Sequence, residues 1–256
     1  MSGLLHAVLS GYYARNQLRS RSRLISWSHC GRFRTALRIA RGMTGHRQLD
    51  YGCGDGTFLG LLATQQRISA VGAEVQASIV EDCRRRFAGF DDVSFELVSD
   101  VEQGAAAIYD VIYCMEVLEH VLDPDLLLRR FDRLLAPGGT LVISVPIETG
   151  VPVVLKQIVR RIAGWRGIGH YPGTTEYSVR ELLSSLLAGS VQHIERPVFT
   201  TATGGSFHDH KGFNWRVVRT LVRERFDLVH EDTSPVRALG PQLGTQRWFI
   251  ARKPNR

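Results

Sequence analysis

The alternation of apolar and polar positions predicts a series of strands and helices that begins near residue 47. Short apolar runs, typical of buried parallel strands, cover residues 47–51, 68–74, 93–98, 108–113 and 139–146. Helical spacing of apolar residues fills the gaps between them, at 57–66, 76–88 and 124–135. Strands that alternate with helices indicate a mainly parallel sheet with helices on both faces.

Both ends of the chain depart from this alternation. Residues 1–45 have helical spacing among arginines, and after residue 146 the chain predicts further helices and two last strands. The helices are expected at 151–165, 178–188 and 213–225, and the strands at 226–231 and 246–252. The pattern therefore predicts an α/β fold: a doubly wound, seven-stranded, mainly parallel sheet with an N-terminal helical cap and an inserted helical segment.

We expect one domain over residues 1–256, made of four parts. These are a basic helical N-terminal arm (1–46), a cofactor-binding core (47–149), an inserted acceptor-side or lid segment (150–207) and a C-terminal helix with strands that complete the sheet (208–256). A chain of this length fits one domain of ordinary size.

A glycine-rich stretch follows the first predicted strand. Residues 49–60 read LDYGCGDGTFLG, so Asp50 is followed by Gly52, Gly54 and Gly56 before a helical pattern begins. Glycines this dense let the backbone turn sharply and come close to a ligand. A dinucleotide site would use G-x-G-x-x-G spacing and hold an anionic pyrophosphate at the helix N-terminus. Here the spacing is G-x-G-x-G, and the preceding carboxylate favours a cation such as the amino group of a methionine moiety.

This stretch resembles the first motif of the class I S-adenosylmethionine-dependent methyltransferases, and later segments resemble the family's further motifs in order. Glu74 ends the second strand 22 residues after Gly52, at the offset where an acid binds ribose hydroxyls. Asp100, with Val101 beside it, resembles the acid that binds the adenine amino group. The resemblance covers residues 47–146 continuously and fits type 11 and 23 members with an E-x-x-E-H variant.

The resemblance implies a Rossmann-like methyltransferase fold and S-adenosyl-L-methionine as the cofactor. The segment YDVIYCMEVLEHV (109–121) would end the fourth strand beside the methionine portion and the transferable methyl group. Carried over position by position, the resemblance assigns cofactor binding to Asp50, Gly52, Cys53, Gly54, Gly56, Glu74, Val75, Asp100, Val101, Cys114, Met115 and Glu116.

The E-x-x-E-H motif has two interpretations, of which the first is a metal half-site. Glu116, Glu119 and His120 are spaced i, i+3, i+4, so a helix would place them on one face. The motif resembles the ligand motif of the small-RNA 3′-end 2′-O-methyltransferases and of the ubiquinone-pathway O-methyltransferases. The former add a downstream histidine in a segment like H-K-F-E-W, and HKGFNWR here makes His210 the fourth ligand, with His208 as a rival. Such ligands suit Mg²⁺ or Mn²⁺.

In the second interpretation the motif positions cofactor and acceptor without a metal. Glu116 then contacts the cofactor, while His120, with Glu119 beside it, acts as the acceptor's base or orients the acceptor. Methyl transfer from a sulfonium is an in-line displacement that depends on alignment. A hydroxyl acceptor must also lose its proton, so O-methylation needs a base or a Lewis acid. Both interpretations stay open at this point.

Composition adds constraints on partners and location. The net charge of +7 lies in the N-terminal arm, because residues 1–47 contain nine arginines and no acidic residue. Such an arm is typical of contact with nucleic acid, anionic lipid or an acidic polysaccharide precursor, or of a solvated helix. Four dispersed cysteines without a C-x-x-C pair predict reduced thiols. Without a long apolar run or a secretory signal, we expect a cytoplasmic protein whose amphipathic helix 151–165 permits peripheral membrane contact.

The sequence thus predicts a methyltransferase that O-methylates a small or carrier-linked acceptor, such as a glycan, lipid or quinone-like compound. One alternative is a metal-dependent RNA 2′-O-methyltransferase, although no recognised RNA-binding module is present. The other is a catalytically silent binding protein that keeps the cofactor fold. Asp50 and the three glycines argue against the silent protein, since an abandoned site has no need for this glycine density.

Overall fold

A computed structural model describes residues 2–18, 23–43, 45–165, 177–192, 194–200 and 204–255 of the chain. Residues 166–176 of the expected insertion lie outside the described residues. The described helices are α1 (Ser2–Leu9), α2 (Arg23–Arg41), α3 (Thr57–Ala63), α4 (Ala77–Arg86), α5 (Val98–Gln103), α6 (Pro124–Leu134), α7 (Val151–Trp165), α8 (Val179–Leu186), α9 (Trp215–Arg225) and α10 (Gly240–Leu243). A π-helical turn (Ala14–Leu18) lies between α1 and α2, and a 3₁₀ turn (Arg237–Leu239) precedes α10.

Seven strands form the central sheet. They are β1 (Arg47–Tyr51), β2 (Ser69–Glu74), β3 (Val93–Leu97), β4 (Tyr109–Met115), β5 (Leu135–Pro146), β8 (Asp227–Ser234) and β9 (Gln246–Arg252). Their order is β3-β2-β1-β4-β5-β9-β8, parallel from β3 to β5, with β9 antiparallel to both of its neighbours. This confirms the predicted doubly wound fold. The carboxyl ends of β1, β2, β4 and β5 meet at one edge of the sheet, which is where such folds bind ligands.

Both faces of the sheet are covered, so buried residues alternate along the strands. On β4, Val111 and Tyr113 pack into the core beneath α1–α4, while Ile112 and Cys114 pack into the core beneath α5, α6 and α9. Successive side chains of a strand point to opposite faces, and here both faces are apolar. That explains why β4 reads as a continuous apolar run rather than as an alternating one.

The N-terminal segment packs on the domain as a cap. Helices α1 and α2 pack on α3, and Leu4, Val8 and Ile39 are buried. Arg38 donates a hydrogen bond of 2.5 Å to the buried carboxylate of Asp232 on β8. The expectation of a helical cap is therefore confirmed, and the arm is not simply a solvated helix.

Three local features differ from the sequence prediction. Helix α5 begins at Val98, directly after β3, where the pattern predicted strand. Strand β5 begins at Leu135 instead of at residue 139, so the APGG segment (136–139) lies within it, with a register shift opposite β4. A short hairpin of β6 (Val198–Thr200) and β7 (Ser206–His208) was not predicted, because three-residue strands carry too little periodicity. Among the described residues, no helix has the length and apolar character needed to cross a bilayer.

Candidate active site

The loop after β1 depends on glycine for its shape. Gly52, Gly54 and Gly56 have φ values of 77°, 54° and 74°, in the left-handed region that favours glycine. The backbone N–H of Gly52 donates to the carbonyl of Ala73 at 2.8 Å, which ties the loop to β2. A Cβ on Gly52 would lie 2.3 Å from Cγ2 of Val117. The predicted glycines are thus required both for conformation and for space.

Two carboxylates flank this loop. Asp50 is 2% exposed, and its burial, followed by the nearby charge of Glu74, raises the pKa of Asp50 to about 8. Glu74 accepts hydrogen bonds from the backbone N–H groups of Gly54 at 3.1 Å and Val75 at 2.7 Å. A carboxylate has about four lone-pair sites, so Glu74 can accept further bonds from ribose hydroxyls. An ammonium group beside Asp50 would stabilise its charged form, so this site fits the methionine end of S-adenosylmethionine.

A cavity of about 580 Å³ opens beside the loop. Its wall contains Asp50, Gly52 and Gly54 together with Met115 and Glu116 from the end of β4. The structure thus brings together the motifs that follow β1 and β4, which are separated by about sixty residues in the sequence. A cavity of this volume is typical of a small-molecule site.

Of the remaining predicted cofactor residues, Cys53 lines this cavity, whereas Gly56, Glu74, Val75, Asp100, Val101 and Cys114 are not among its lining residues. Val75 is 70% exposed at the end of β2, and Asp100, also exposed, lies with buried Val101 in α5 after β3. Cys53 and Cys114 are buried, and burial raises the pKa of both thiols well above the ordinary value. Cys114 packs in the core, so its predicted cofactor contact would come from its backbone. All four cysteines are free, as expected.

Glu116 occupies a strained position at the end of β4. Its φ is +58°, a conformation that costs a residue other than glycine roughly 1–2 kcal/mol. Its N–H donates to the carbonyl of Ser144 at 2.9 Å, and its Oε1 accepts from the Ser144 hydroxyl at 2.9 Å. Arg32 of the cap lies 3.8 Å from Oε2. These contacts hold the Glu116 carboxylate at the cavity wall despite the strain.

A second acidic position, Glu119, groups with two histidines. One ligand atom from each of Glu119, His120 and His210 lies within 4.8 Å of the others. Glu119 is fully buried, and neither of its carboxylate oxygens has a hydrogen-bond partner in the part of the chain that the structure describes. Burial, and then the charge of Glu116, raises the pKa of Glu119 well above its ordinary value. A carboxylate and two imidazoles fit a divalent cation, while Glu116 stays outside this cluster.

Hydrogen bonding fixes the tautomer of His120. Its Nδ1 lies 2.8 Å from the backbone carbonyl of His208, and a carbonyl can only accept, so Nδ1 carries the proton. The Nε2 lone pair is therefore available, 3.9 Å from Oε1 of Glu119. The His208 N–H also donates to the carbonyl of His120 at 3.0 Å. His208, the predicted rival ligand, thus orients His120 through its backbone, and His210 provides the second imidazole.

Other residues of the site were missed by the sequence analysis. The cap contributes Tyr13, His29 and Arg32 to the cavity wall, and the chain after β5 contributes Glu148 and Lys156. Burial, and then the Arg32 charge, lowers the pKa of His29 to about 4, so this imidazole is neutral at neutral pH. The lack of acids in the arm was the only available signal, and it indicated a charged partner instead of a cavity wall.

Asp55 is a further missed residue with a signal that could have found it. It is buried and accepts from the N–H of Thr57 at 3.1 Å, at the start of α3, and from the N–H of Tyr13 at 2.7 Å. An aspartate at a helix start is a common cap, so the bond to Thr57 was readable from the sequence. The bond to Tyr13 was not, because the two residues are 42 positions apart.

Comparison with known proteins places this geometry in a family. The family model described as "Methyltransferase domain" matches residues 23–187. Ubiquinone biosynthesis O-methyltransferase from Xanthomonas oryzae is 32% identical over 143 residues, which cover 50% of this chain and 56% of that protein. The enzyme of that name from Methylococcus capsulatus is 32% identical over 108 residues, covering 40% and 44%. The chain therefore spans about half the length of these curated relatives.

Solved structures extend the likeness over most of the chain. An S-adenosylmethionine-dependent methyltransferase from Methanosarcina mazei aligns with a TM-score of 0.55 and 16% identity, covering 86% of this chain and 98% of its own. Magnesium protoporphyrin IX methyltransferase from Synechocystis, solved with bound S-adenosylhomocysteine, aligns with a TM-score of 0.55 and 14% identity, covering 97% and 98%. These likenesses establish the fold. Because the matched family segment spans well over half of the residues and contains the glycine loop, the chain belongs to the class I S-adenosylmethionine-dependent methyltransferase family.

Proposed function

We propose that this protein is an S-adenosylmethionine-dependent O-methyltransferase that acts on a hydroxyl group of a small or carrier-linked, quinone-like acceptor. The observation that carries the proposal is the His120 imidazole, held with its Nε2 lone pair beside buried Glu119 on the cavity wall. An acceptor that has to lose a proton needs such a group, whereas a neutral amine does not. The names of the curated relatives support an oxygen acceptor.

The cofactor would be held at the sheet edge formed by β1, β2 and β4. When bound, S-adenosylmethionine supplies an electrophilic methyl group. Asp50 would pair with its amino group, Glu74 would accept from its ribose hydroxyls, and the backbone of Gly52 and Gly54 would approach it closely. Arg32 and Tyr13 of the cap line the same cavity and would exclude water from it. With water excluded, the methyl group and the acceptor oxygen would be held in line and without a solvent shell between them.

His120 would then prepare the acceptor. Its Nε2 takes the hydroxyl proton, and the backbone carbonyl of His208, 2.8 Å from Nδ1, stabilises the imidazolium that forms. Glu119 lies 3.9 Å away. Its burial favours the protonated form, and a positive ring beside it would stabilise the ionised carboxylate and be stabilised by it in turn. This pairing explains how a carboxylate without a hydrogen-bond partner among the described residues is useful in this position.

A divalent cation is an alternative way to acidify the hydroxyl. Glu119, His120 and His210 would hold it, and Mg²⁺ or Mn²⁺ there would act as a Lewis acid on the acceptor oxygen. The same residues cannot serve fully as ligand and as base at once, so the two versions predict different responses to chelation.

The proposal gives roles to two of the expected parts of the domain, the arm and the insertion. The arm 1–46 forms the cofactor-side wall through Arg32, and the insertion 150–207 forms the acceptor-side wall through Lys156. Partners other than the small-molecule acceptor are not required by this arrangement of residues.

The test is transfer of a labelled methyl group from S-adenosylmethionine to a panel of phenols, benzenediols and glycans, with RNA as the alternative acceptor. We expect label on a hydroxyl oxygen of a phenolic compound. Label on RNA, with affinity that falls steeply with salt, would favour the 2′-O-methyltransferase instead. No calorimetric binding of S-adenosylhomocysteine at millimolar concentration would leave only the silent binding protein.

The metal is tested in the same assay. Loss of turnover in excess chelator, with recovery on adding Mg²⁺ or Mn²⁺, is the result expected if the cluster binds a cation. Full turnover in excess chelator would exclude that version and leave His120 as the sole base.

A further inference from the structure

A second polar cluster lies on the wall of the same cavity, away from the groups assigned above. Glu148 follows the carboxyl end of β5 and is 2% exposed. Its Oε1 accepts a hydrogen bond of 2.7 Å from the Lys156 ammonium of α7, which also donates to the carbonyl of Ile147 at 2.9 Å. Its Oε2 is buried without a hydrogen-bond partner among the described residues. Both side chains line the cavity.

The position of Glu148 in the sheet puts it on the acceptor side. Strand β5 is two strands away from β1, which carries the glycine loop, and neighbouring strands are about 4.8 Å apart, so the two strand ends are separated by roughly 10 Å. The cofactor motifs follow β1, β2 and β4, which leaves the end of β5 beyond the methionine portion. Glu148 is therefore too far along the edge to belong to the ribose or adenine contacts.

The backbone around Glu148 is held firmly. The N–H of Ile147 donates to the carbonyl of Thr245 at 2.9 Å, and the Thr149 hydroxyl accepts from Arg216 at 2.9 Å. The next N–H, that of Gly150, donates to the carbonyl of Ser185 at 2.9 Å. These bonds fix the backbone on both sides of Glu148, and Lys156 holds its Oε1.

An acceptor oxygen that is buried without a partner is costly, and in a side chain that lines a cavity it calls for a ligand that donates a hydrogen bond. Lys156 neutralises the charge of the pair, so a neutral hydroxyl suits it better than an anion, which Oε2 would repel. The adjacent wall is apolar, formed by Pro152 and Leu155 of α7 and Leu243 of α10. The ligand thus combines a hydroxyl group with an apolar body.

We propose that Glu148, positioned by Lys156, binds a hydroxyl group of the acceptor other than the one that is methylated. Resting on the function proposed above, this makes the acceptor a neutral compound with at least two hydroxyl groups and an apolar body. A site built to accept from a hydroxyl discriminates strongly against an analogue without it, because the carboxylate is then left unpaired. Glu148 is in this view the residue that determines specificity.

The experiment measures binding, independently of methyl transfer. The protein saturated with S-adenosylhomocysteine is titrated calorimetrically with one tert-butyl derivative each of 1,2-, 1,3- and 1,4-benzenediol, and with tert-butylphenol, which lacks the second hydroxyl. We expect at least one benzenediol to bind about 10- to 100-fold more tightly than the phenol. All three hydroxyl spacings are included so that the test covers every relative position of the two groups on the ring.

The E148Q variant gives the sharpest prediction. The Lys156 ammonium requires an oxygen, so the amide oxygen faces it and the amide NH₂ takes the place of Oε2. The preference for the benzenediol should then be lost, and tert-butylphenol carrying a methoxy group in place of the second hydroxyl should become the better ligand. E224Q, which changes an exposed glutamate on α9, is the matched control and should keep the wild-type preference.

Each outcome has a defined meaning. An unchanged benzenediol preference in E148Q, or no binding of any benzenediol to the wild type, would overturn the proposal for Glu148. Binding with the expected preference but without methyl transfer would instead contradict the proposed function and leave the Glu148 subsite in place. If E148Q no longer binds S-adenosylhomocysteine, E148D is used in its place. The aspartate side chain is shorter by one methylene group, so its carboxylate is withdrawn from the ligand. Wild-type selectivity in E148D would therefore overturn the proposal.

Discussion

The cofactor side and the acceptor side of the cavity are built in different ways. On the cofactor side, the backbone N–H groups of the glycine loop donate to the end of the neighbouring strand, from Gly52 to the carbonyl of Ala73 and from Gly54 to the carboxylate of Glu74. On the acceptor side, Glu119 and Glu148 are buried carboxylates with oxygens that lack hydrogen-bond partners among the described residues. The loop backbone of the first side is held by the protein itself, whereas the carboxyl oxygens of the second side are completed only by something that enters the cavity.

The difference shows that backbone shape dominates the cofactor side, whereas polar side-chain chemistry dominates the acceptor side. A backbone cradle is the same for every acceptor that the family uses, so it can be rigid and local. The acceptor side must match one substrate, and unsatisfied polar groups provide that match because a wrong ligand leaves them unpaired. Variants on the two sides should therefore separate cofactor binding from methyl transfer.

The largest expected effect belongs to H120Q on the acceptor side. Loss of the base should lower kcat by about 10²- to 10⁴-fold, while the affinity for S-adenosylhomocysteine changes by less than about twofold. Single-turnover transfer of labelled methyl and calorimetry measure the two quantities. H230Q, an exposed histidine on β8, is the control, and wild-type kcat in H120Q would remove His120 from the mechanism.

On the cofactor side, G52A should instead change the affinity for the cofactor. Its Cβ would lie 2.3 Å from Val117 in a backbone conformation that disfavours alanine, so we expect at least about tenfold weaker binding of S-adenosylhomocysteine. G89A is a matched control, since Gly89 also has a positive φ of 86° but nothing lies within 4 Å of its added Cβ. It should lose about 1 kcal/mol of stability and keep its affinity. Equal affinities in the two variants would show that the loop tolerates a side chain.

A third prediction concerns the proton on Asp50. Because its pKa in the free protein is about 8, Asp50 is mostly protonated at about pH 7 and should release nearly one proton when an ammonium group binds beside it. Calorimetry of S-adenosylhomocysteine in buffers of different ionisation enthalpy measures this release. It should vanish as the pH rises well above 8, and it should be absent in D50N. Proton uptake, or no exchange at all near neutral pH, would contradict the assigned pairing.

The same pKa sets a stability trend in the free protein. A carboxyl group whose pKa is raised on folding stabilises the folded state fully below its ordinary pKa of 3.8, and this stabilisation is lost as the pH rises through about 8. Thermal unfolding of D50N should accordingly depend less on pH over this range than that of the wild type.

The smallest effect is expected where the cap meets the sheet. R38A removes the bond to Asp232 but leaves Arg237, which also donates to that carboxylate at 2.9 Å. We expect a loss of about 0.5–1 kcal/mol in the free energy of unfolding. R34A, which removes another exposed arginine of α2, should cost less. Equal losses would show that the cap is held by apolar packing, without help from this ion pair.

Much of the cofactor side could be predicted from the sequence because each of its parts is contiguous. Asp50 lies near the end of β1, directly before the glycine loop, and Glu74 ends the neighbouring parallel strand β2. The carboxyl ends of neighbouring parallel strands meet at one edge of the sheet. The positive φ of Glu116 was not readable, since a non-glycine residue in that conformation is strained and depends on Ser144 and neighbouring contacts to hold it.

The acceptor side was only partly predictable. The resemblance gave the grouping of His120 with His210, and the structure brings them within 4.9 Å between ring centres. Nothing in the sequence indicated that His208 would orient His120 by its backbone, because that contact spans 88 positions and depends on an unpredicted hairpin. The sequence analysis gave Lys156 no role beyond its place in the amphipathic helix 151–165, whereas the structure pairs it with buried Glu148.

The sequence by itself determined the alternating α/β fold, the glycine loop and the identity of the cofactor-side carboxylates, because these depend on local backbone conformation and on the regular order of strands. Only the tertiary structure decided which polar side chains share one cavity, which oxygens are left without partners and how the cap closes over the loop. The reason is physical: burial and hydrogen-bond satisfaction are properties of groups that come together from distant segments, and periodicity along the chain carries no information about them.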